Sequence, residues 1–101
     1  MILTPEEAAD ILRLDNASNY PQLDIILPAI DEYMKTATGF DWGTITETYQ
    51  SINPTAKMAA TMLLVQWFEN PAMIGKVDEG SYGLTNLIKQ LQAKALPEVT
   101  V

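Results

Sequence analysis

Three groupings in this sequence have residue types that could do chemistry. Asp24, Asp31 and Glu32 carry carboxylates about two helical turns apart, the raw material of general acid–base work. Asp78-Glu79-Gly80 has the composition of a cation-binding turn, and Ser18, Ser51 and Ser81 carry hydroxyls that could act as nucleophiles. Each grouping falls short on its own terms. A catalytic carboxylate pair needs a pocket that separates the two pKa values. Asp31 instead stands four residues before Lys35, the spacing of an ordinary ion pair on a solvated helix face. A calcium loop needs several oxygen ligands at alternating positions, which two adjacent acids do not supply. No serine lies in a nucleophile elbow, and the chain has no histidine to activate one.

The rest of the composition points the same way. Without cysteine there is no thiolate nucleophile, thiolate metal site or disulfide. No glycine-rich phosphate loop is present, and the six basic residues are dispersed. We expect neither an enzyme nor a cofactor. The charge is uneven: residues 1–52 hold nine acids and two bases, and residues 53–101 hold four of each, so the whole net charge of −7 belongs to the first half. Such a surface repels phosphate, which argues against tight binding to nucleic acid or to an anionic membrane. The opening residues lack a basic leader, and the longest apolar run is far short of the ~20 residues of a membrane span. A soluble protein made in the cytoplasm is expected.

At 101 residues and 48% hydrophobic content the chain suits one domain, 1–101, with a single core. Thr4-Pro5-Glu6-Glu7 reads as a capping box with proline at the first helical position. Ala8, Ile11 and Leu12 share a face of this first helix, Leu14 adds to it, and the helix should stop near Asp15-Asn16. The second helix is expected from Pro21 to Thr38, with Leu23, Ile26, Leu27, Ile30, Tyr33, Met34 and Ala37 inward and Gly39 as a left-handed stop. Pro28 falls inside it and predicts a kink rather than a break, because the apolar stripe stays in phase on both sides. Residues 40–52 read as a long covering loop with a short strand or turn.

Asn53-Pro54 opens a third helix that runs to about Asn70. Met58, Ala59, Ala60, Met62, Leu63, Leu64, Val65, Trp67 and Phe68 cover nearly its whole circumference, so it must be buried on nearly every side. A loop from Pro71 to Tyr82 leads to a fourth helix, Gly83 to Ala95, with a narrow stripe of Leu84, Leu87, Ile88 and Leu91. The fold class is therefore all-α: a small bundle of four main helices with a long loop between the second and third and an extended tail, Leu96–Val101.

Two segments are candidate contacts with other chains. Leu64, Trp67 and Phe68 lie on the third helix, which has more apolar surface than a domain this size easily covers. They pack either in the core or, since tryptophan is enriched at interface centres, against a neighbouring subunit. Leu96, Val99 and Val101 alternate along the tail, which is either a frayed end or a segment that docks on a neighbour.

The order of these features resembles a known family. Leu3-Thr4-Pro5-Glu6-Glu7-Ala8, then Ile11-Leu12-Arg13-Leu14-Asp15, a helix ending in Ala37-Thr38-Gly39, the stretch Leu63-Leu64-Val65-Gln66-Trp67-Phe68-Glu69-Asn70-Pro71 and Tyr82-Gly83-Leu84 are together similar to the head–tail connector (adaptor) proteins of tailed bacteriophages and prophages. The likeness spans residues 2 to about 92. Gln66 stands where that family often has histidine, and 40–52 and 96–101 have no clear counterpart. The resemblance implies a structural virion protein assembled in the bacterial cytoplasm. It implies a ring, commonly of twelve subunits, docked under the portal protein, extending the DNA channel and meeting a neck or tail-completion protein. DNA would pass through without specific binding. On that reading Asp24, Asp31 and Glu32 are candidates to face the channel, where acid repels phosphate. The alternative is a small helical interaction or regulatory module, monomeric or dimeric. A helix-turn-helix version is weaker, because no helix is basic.

Overall fold

Thr4 does what its position demands. Its hydroxyl accepts the Glu7 N–H at 3.1 Å, while the Glu7 carboxylate accepts the Thr4 N–H at 3.1 Å, and helix α1 (Pro5–Leu12) follows. A computed structural model describes residues 1–44, 52–76 and 82–95 of the chain. Helices α2 (Leu23–Thr38), α3 (Pro54–Glu69) and α4 (Tyr82–Ala95) complete an all-α bundle, with short 3-10 turns at Ala17–Asn19 and Pro71–Met73. No strand occurs among the described residues. Of the loop 40–52, in which a short strand or turn is expected, residues 45–51 lie outside them, as does the tail 96–101.

Helix α1 ends earlier than its polar turn formers suggest. Arg13 takes a left-handed conformation (φ 58°), its N–H donates to the Asp10 carbonyl, and the Leu14 N–H reaches back to the Ala9 carbonyl at 2.8 Å. This is the Schellman pattern with arginine where glycine is usual, at a conformational cost of about 1 kcal/mol. The turn brings Leu14 back against the core, and Asn16 then caps the first 3-10 turn through the Ser18 N–H.

Helix α2 starts at Leu23, two residues after the expected proline, and runs unbroken through Pro28. Pro28 is exposed, so water can serve the carbonyl that loses its helical donor. Gly39 (φ 80°) closes the helix with its N–H on the Lys35 carbonyl at 2.8 Å, and Gln92 of α4 donates to the neighbouring Ala37 carbonyl. Asn53 caps α3 by accepting the Thr55 and Ala56 N–H groups.

The core lies between α2 and α3. Leu23, Ile26, Leu27, Ile30 and Met34 of α2 meet Ala56, Ala59, Ala60, Leu63, Leu64 and Trp67 of α3. The alanines let the backbones approach closely, and α1 and α4 each pack across both helices. Ile2, Leu3 and Trp42 close the end near α2. The Trp42 indole donates to the Thr38 hydroxyl at 2.8 Å, which itself donates to the Met34 carbonyl.

Trp67 is fully buried, with its ring edge-on to Tyr33 at 5.7 Å and its indole N–H on the Lys76 carbonyl at 2.8 Å. It anchors the loop after α3 to the bundle. Trp67→Ala should therefore cost about 3–5 kcal/mol. A urea melt of the variant should show that loss, instead of a folded monomer that has merely lost partners.

Candidate interaction surfaces

Of the residues singled out for contacts between chains, Leu64 and Trp67 are both inaccessible to solvent within the chain's own bundle. They offer a neighbour no surface, because α3 turns its alanine–leucine–tryptophan face to α2. Phe68 is half-buried against Tyr20, with ring centroids 6.2 Å apart. Leu96, Val99 and Val101 lie outside the described residues. The side of α3 that reaches solvent carries Met58, 58% exposed, followed by the half-buried Met62 and Val65. Ile25 of α2, 64% exposed, is the other large apolar side chain left open on a helix among the described residues. Neither Ile25 nor Met58 stood out in the sequence, because each sits among residues of similar hydropathy and only the packing decides which way it faces.

The three candidate acids of α2 do not act as a set. Asp24 and Glu32 are exposed. Asp31 is half-buried, and its Oδ1 accepts the Ile2 N–H at 2.9 Å. This bond takes the place of the expected pairing with Lys35: among the described residues the ion pair formed is Lys57–Glu7, at 2.6 Å. Asp31 thus fastens the segment whose Ile2 and Leu3 side chains enter the core. Nearby, Gly43 lies so close to that segment that a Cβ on it would stand 3.2 Å from the Met1 and Ile2 backbone. Asp41 shapes the same turn. Its carboxyl is held below the usual range by the Thr44 hydroxyl and, more weakly, by the Gly43 N–H.

Glu7 joins α1 to α3. Its pKa is lowered, first by the Lys57 ammonium and then by the Thr4 N–H. Both side chains of the pair stay a little over a third exposed, at 40% and 37%, so screening holds the pair to roughly 0.5 kcal/mol.

A cleft of 400 Å³ opens between α1, the turn that follows it and the start of α2. Its floor is apolar, built from the buried Ala9 and Leu23 and the half-buried Leu14 and Ala17. Its rim is acidic and exposed, formed by Glu6, Asp10, Asp15 and Asp24. Ser18 also lines the cleft, with its hydroxyl donating to the Asn16 side chain at 3.0 Å. The sequence announced the acids as a charge excess but not as a rim. Bringing residues 6–15 beside residue 24 depends on the left-handed turn at Arg13, which no glycine marks.

Among the described residues no three acids converge closely enough to hold a metal ion, and no helix is long and apolar enough to cross a membrane. Ser51, Ser81 and Asp78-Glu79 lie outside the described residues. No family model matches the chain, and no curated protein or solved structure is significantly similar to it.

Two outcomes follow from these contacts. Asp31→Ala should lower stability by about 1–2 kcal/mol in urea denaturation, because it strips a charged acceptor from the Ile2 N–H, while Glu32→Ala should stay within about 0.5 kcal/mol. The depressed Glu7 pKa contributes stability that is present above the ordinary carboxylate range and is lost as pH falls through the folded-state value. Lys57→Met should therefore shrink the stability difference between about pH 6 and pH 3 by roughly 0.5 kcal/mol, measured by urea melts at the two pH values.

Proposed function

We propose that this chain is the subunit of a ring at the head–tail junction of a tailed bacteriophage or prophage, docked under the portal and continuing the DNA channel. What supports the reading is the resemblance of an ordered set of sequence stretches to the connector family, taken with the work those stretches do in the fold. Leu3-Thr4-Pro5-Glu6-Glu7-Ala8 is the capped entry to α1, Ala37-Thr38-Gly39 is the stop of α2, and Leu63 to Pro71 is the end of α3 built around Trp67. A likeness that falls on caps, stops and core is one of architecture, the level at which a structural subunit is defined.

Surface properties support the same reading. Ile25 and Met58 are single apolar side chains left open on two different helices, small additions to any contact with a neighbour and not patches that mark one. Glu32, exposed on the helix of the acidic half, is the acid we assign to the channel wall; Asp24 stands on the rim of the cleft beside α1, and Asp31 serves the subunit itself. An acidic wall lets DNA pass because it gives phosphate nothing to bind. The portal on one side and a neck or tail-completion protein on the other are the partners this reading implies, with no cofactor.

Light scattering on a sizing column across a concentration series, followed by negative-stain imaging of the largest species, tests the proposal. Closed rings with a central hole are expected. A monomer at every concentration would favour the small interaction module instead.

A further inference from the structure

Helices α1 and α4 both pack on α2 and α3, with no substantial contact between α1 and α4 themselves. The two outer helices therefore present separate surfaces, and those surfaces are opposite in charge. On the α1 side lies the cleft with its apolar floor and its rim of Glu6, Asp10, Asp15 and Asp24. Helix α4 contains Lys89 and Lys94 and no acid. Both lysines are exposed, and Ala93, also exposed, lies on the same side of the helix as Lys89, one turn along. None of these six charged side chains has an ion-pair partner among the described residues.

We infer that the occupant of the acidic cleft is a second copy of this chain, which inserts the Ala93 side of its α4 with Lys89 and Lys94 flanking it on either hand. The inference rests on the ring reading and names the contact that would build it. The small Ala93 lets the helix approach the floor, and the two lysines reach the carboxylates on the rim while their methylene stems cover apolar surface. Charge complementarity favours this occupant over the same surface of another copy, since cleft against cleft sets acid against acid. The contact uses different surfaces on its two sides, so one copy cannot satisfy it alone and a pair leaves one cleft and one α4 free. Such head-to-tail contacts repeat until the rotation closes them into a ring, or extend into a filament.

A charge exchange tests this. One variant carries Asp10→Lys and Asp15→Lys, both exposed positions near the end of α1 where lysine suits the helix dipole. The other carries Lys89→Glu and Lys94→Glu. Circular dichroism and urea melts establish that each is folded, and Lys89→Gln with Lys94→Gln replaces the second variant if it is not. Sedimentation at low salt should show the wild type self-associating and each reversed variant weakened at least about tenfold. An equimolar mixture of the two variants should associate again, because the unaltered acidic cleft of one meets the unaltered lysines of the other, and the two lysines placed on the second cleft's rim meet two glutamates. Wild-type association that neither reversal changes would overturn the contact while leaving the ring reading standing. Reversed variants that stay apart when mixed would also overturn it. A wild type that remains monomeric throughout would overturn both the contact and unaided ring formation.

Discussion

Helix α3 is apolar on nearly every side, and among the described residues only three other α-helices are there to cover it. The rest of the structure follows from that shortage. Alanines at 56, 59 and 60 bring α2 close, α1 covers the first half, α4 covers another side, and Trp67 fills the far end. Trp67 also holds the following loop through its bond to the Lys76 carbonyl, so the loss of one side chain would open both the core and the connection to α4. The cover is still incomplete. Met58 remains largely exposed, with Met62 and Val65 beside it half-buried. A domain of about this size leaves roughly a third of its chain surface in water whatever its sequence. Methionine suits that margin, since its flexible side chain accommodates neighbours of different shape.

What could be read from the sequence was local. Thr4, Gly39 and Asn53 announced their caps because each satisfies backbone groups within a few residues, and nothing distant can change that requirement. The four-helix class followed from the periodicity between those marks. Long-range decisions were less visible. Arg13 gives no sign of its left-handed turn, because the conformation is held by the Leu14 N–H on Ala9 and by Leu14 packing inward. Trp42 joins the core through Thr38, a residue whose type predicts only a helix end. Ile2 and Leu3 precede the first cap, and their burial depends on Asp31, which lies 29 residues away along the chain from Ile2.

The same distinction governs the candidate surfaces. An acidic first half is a property of composition and was plain. Its division into an outward rim that takes in Asp24, a further open acid at Glu32 and one acid turned to the backbone at Asp31 is a property of tertiary structure. For α3 the difficulty is more specific. When apolar residues surround a helix, the sequence has no phase from which to decide which side faces a partner. Leu64 and Trp67 were reasonable candidates on type alone and are core by placement, while Met58 is open.

The charge distribution constrains any assembly of copies of this chain. Copies with a net charge of −7 repel one another at long range, so a contact between them has to set unlike charges together locally or bury enough apolar surface to offset the repulsion. Ile25 and Met58 are single side chains on different helices, too small a patch to do this alone. If copies meet through weak contacts of this kind, as the proposed ring requires, closure matters. Each subunit in a closed ring is held on two sides, so removing one breaks two contacts, whereas a misplaced copy on an open end is held by one and leaves readily. Long-range repulsion with local complementarity would then keep free subunits dispersed and favour the closed form, in which every acidic surface that needs a partner has one.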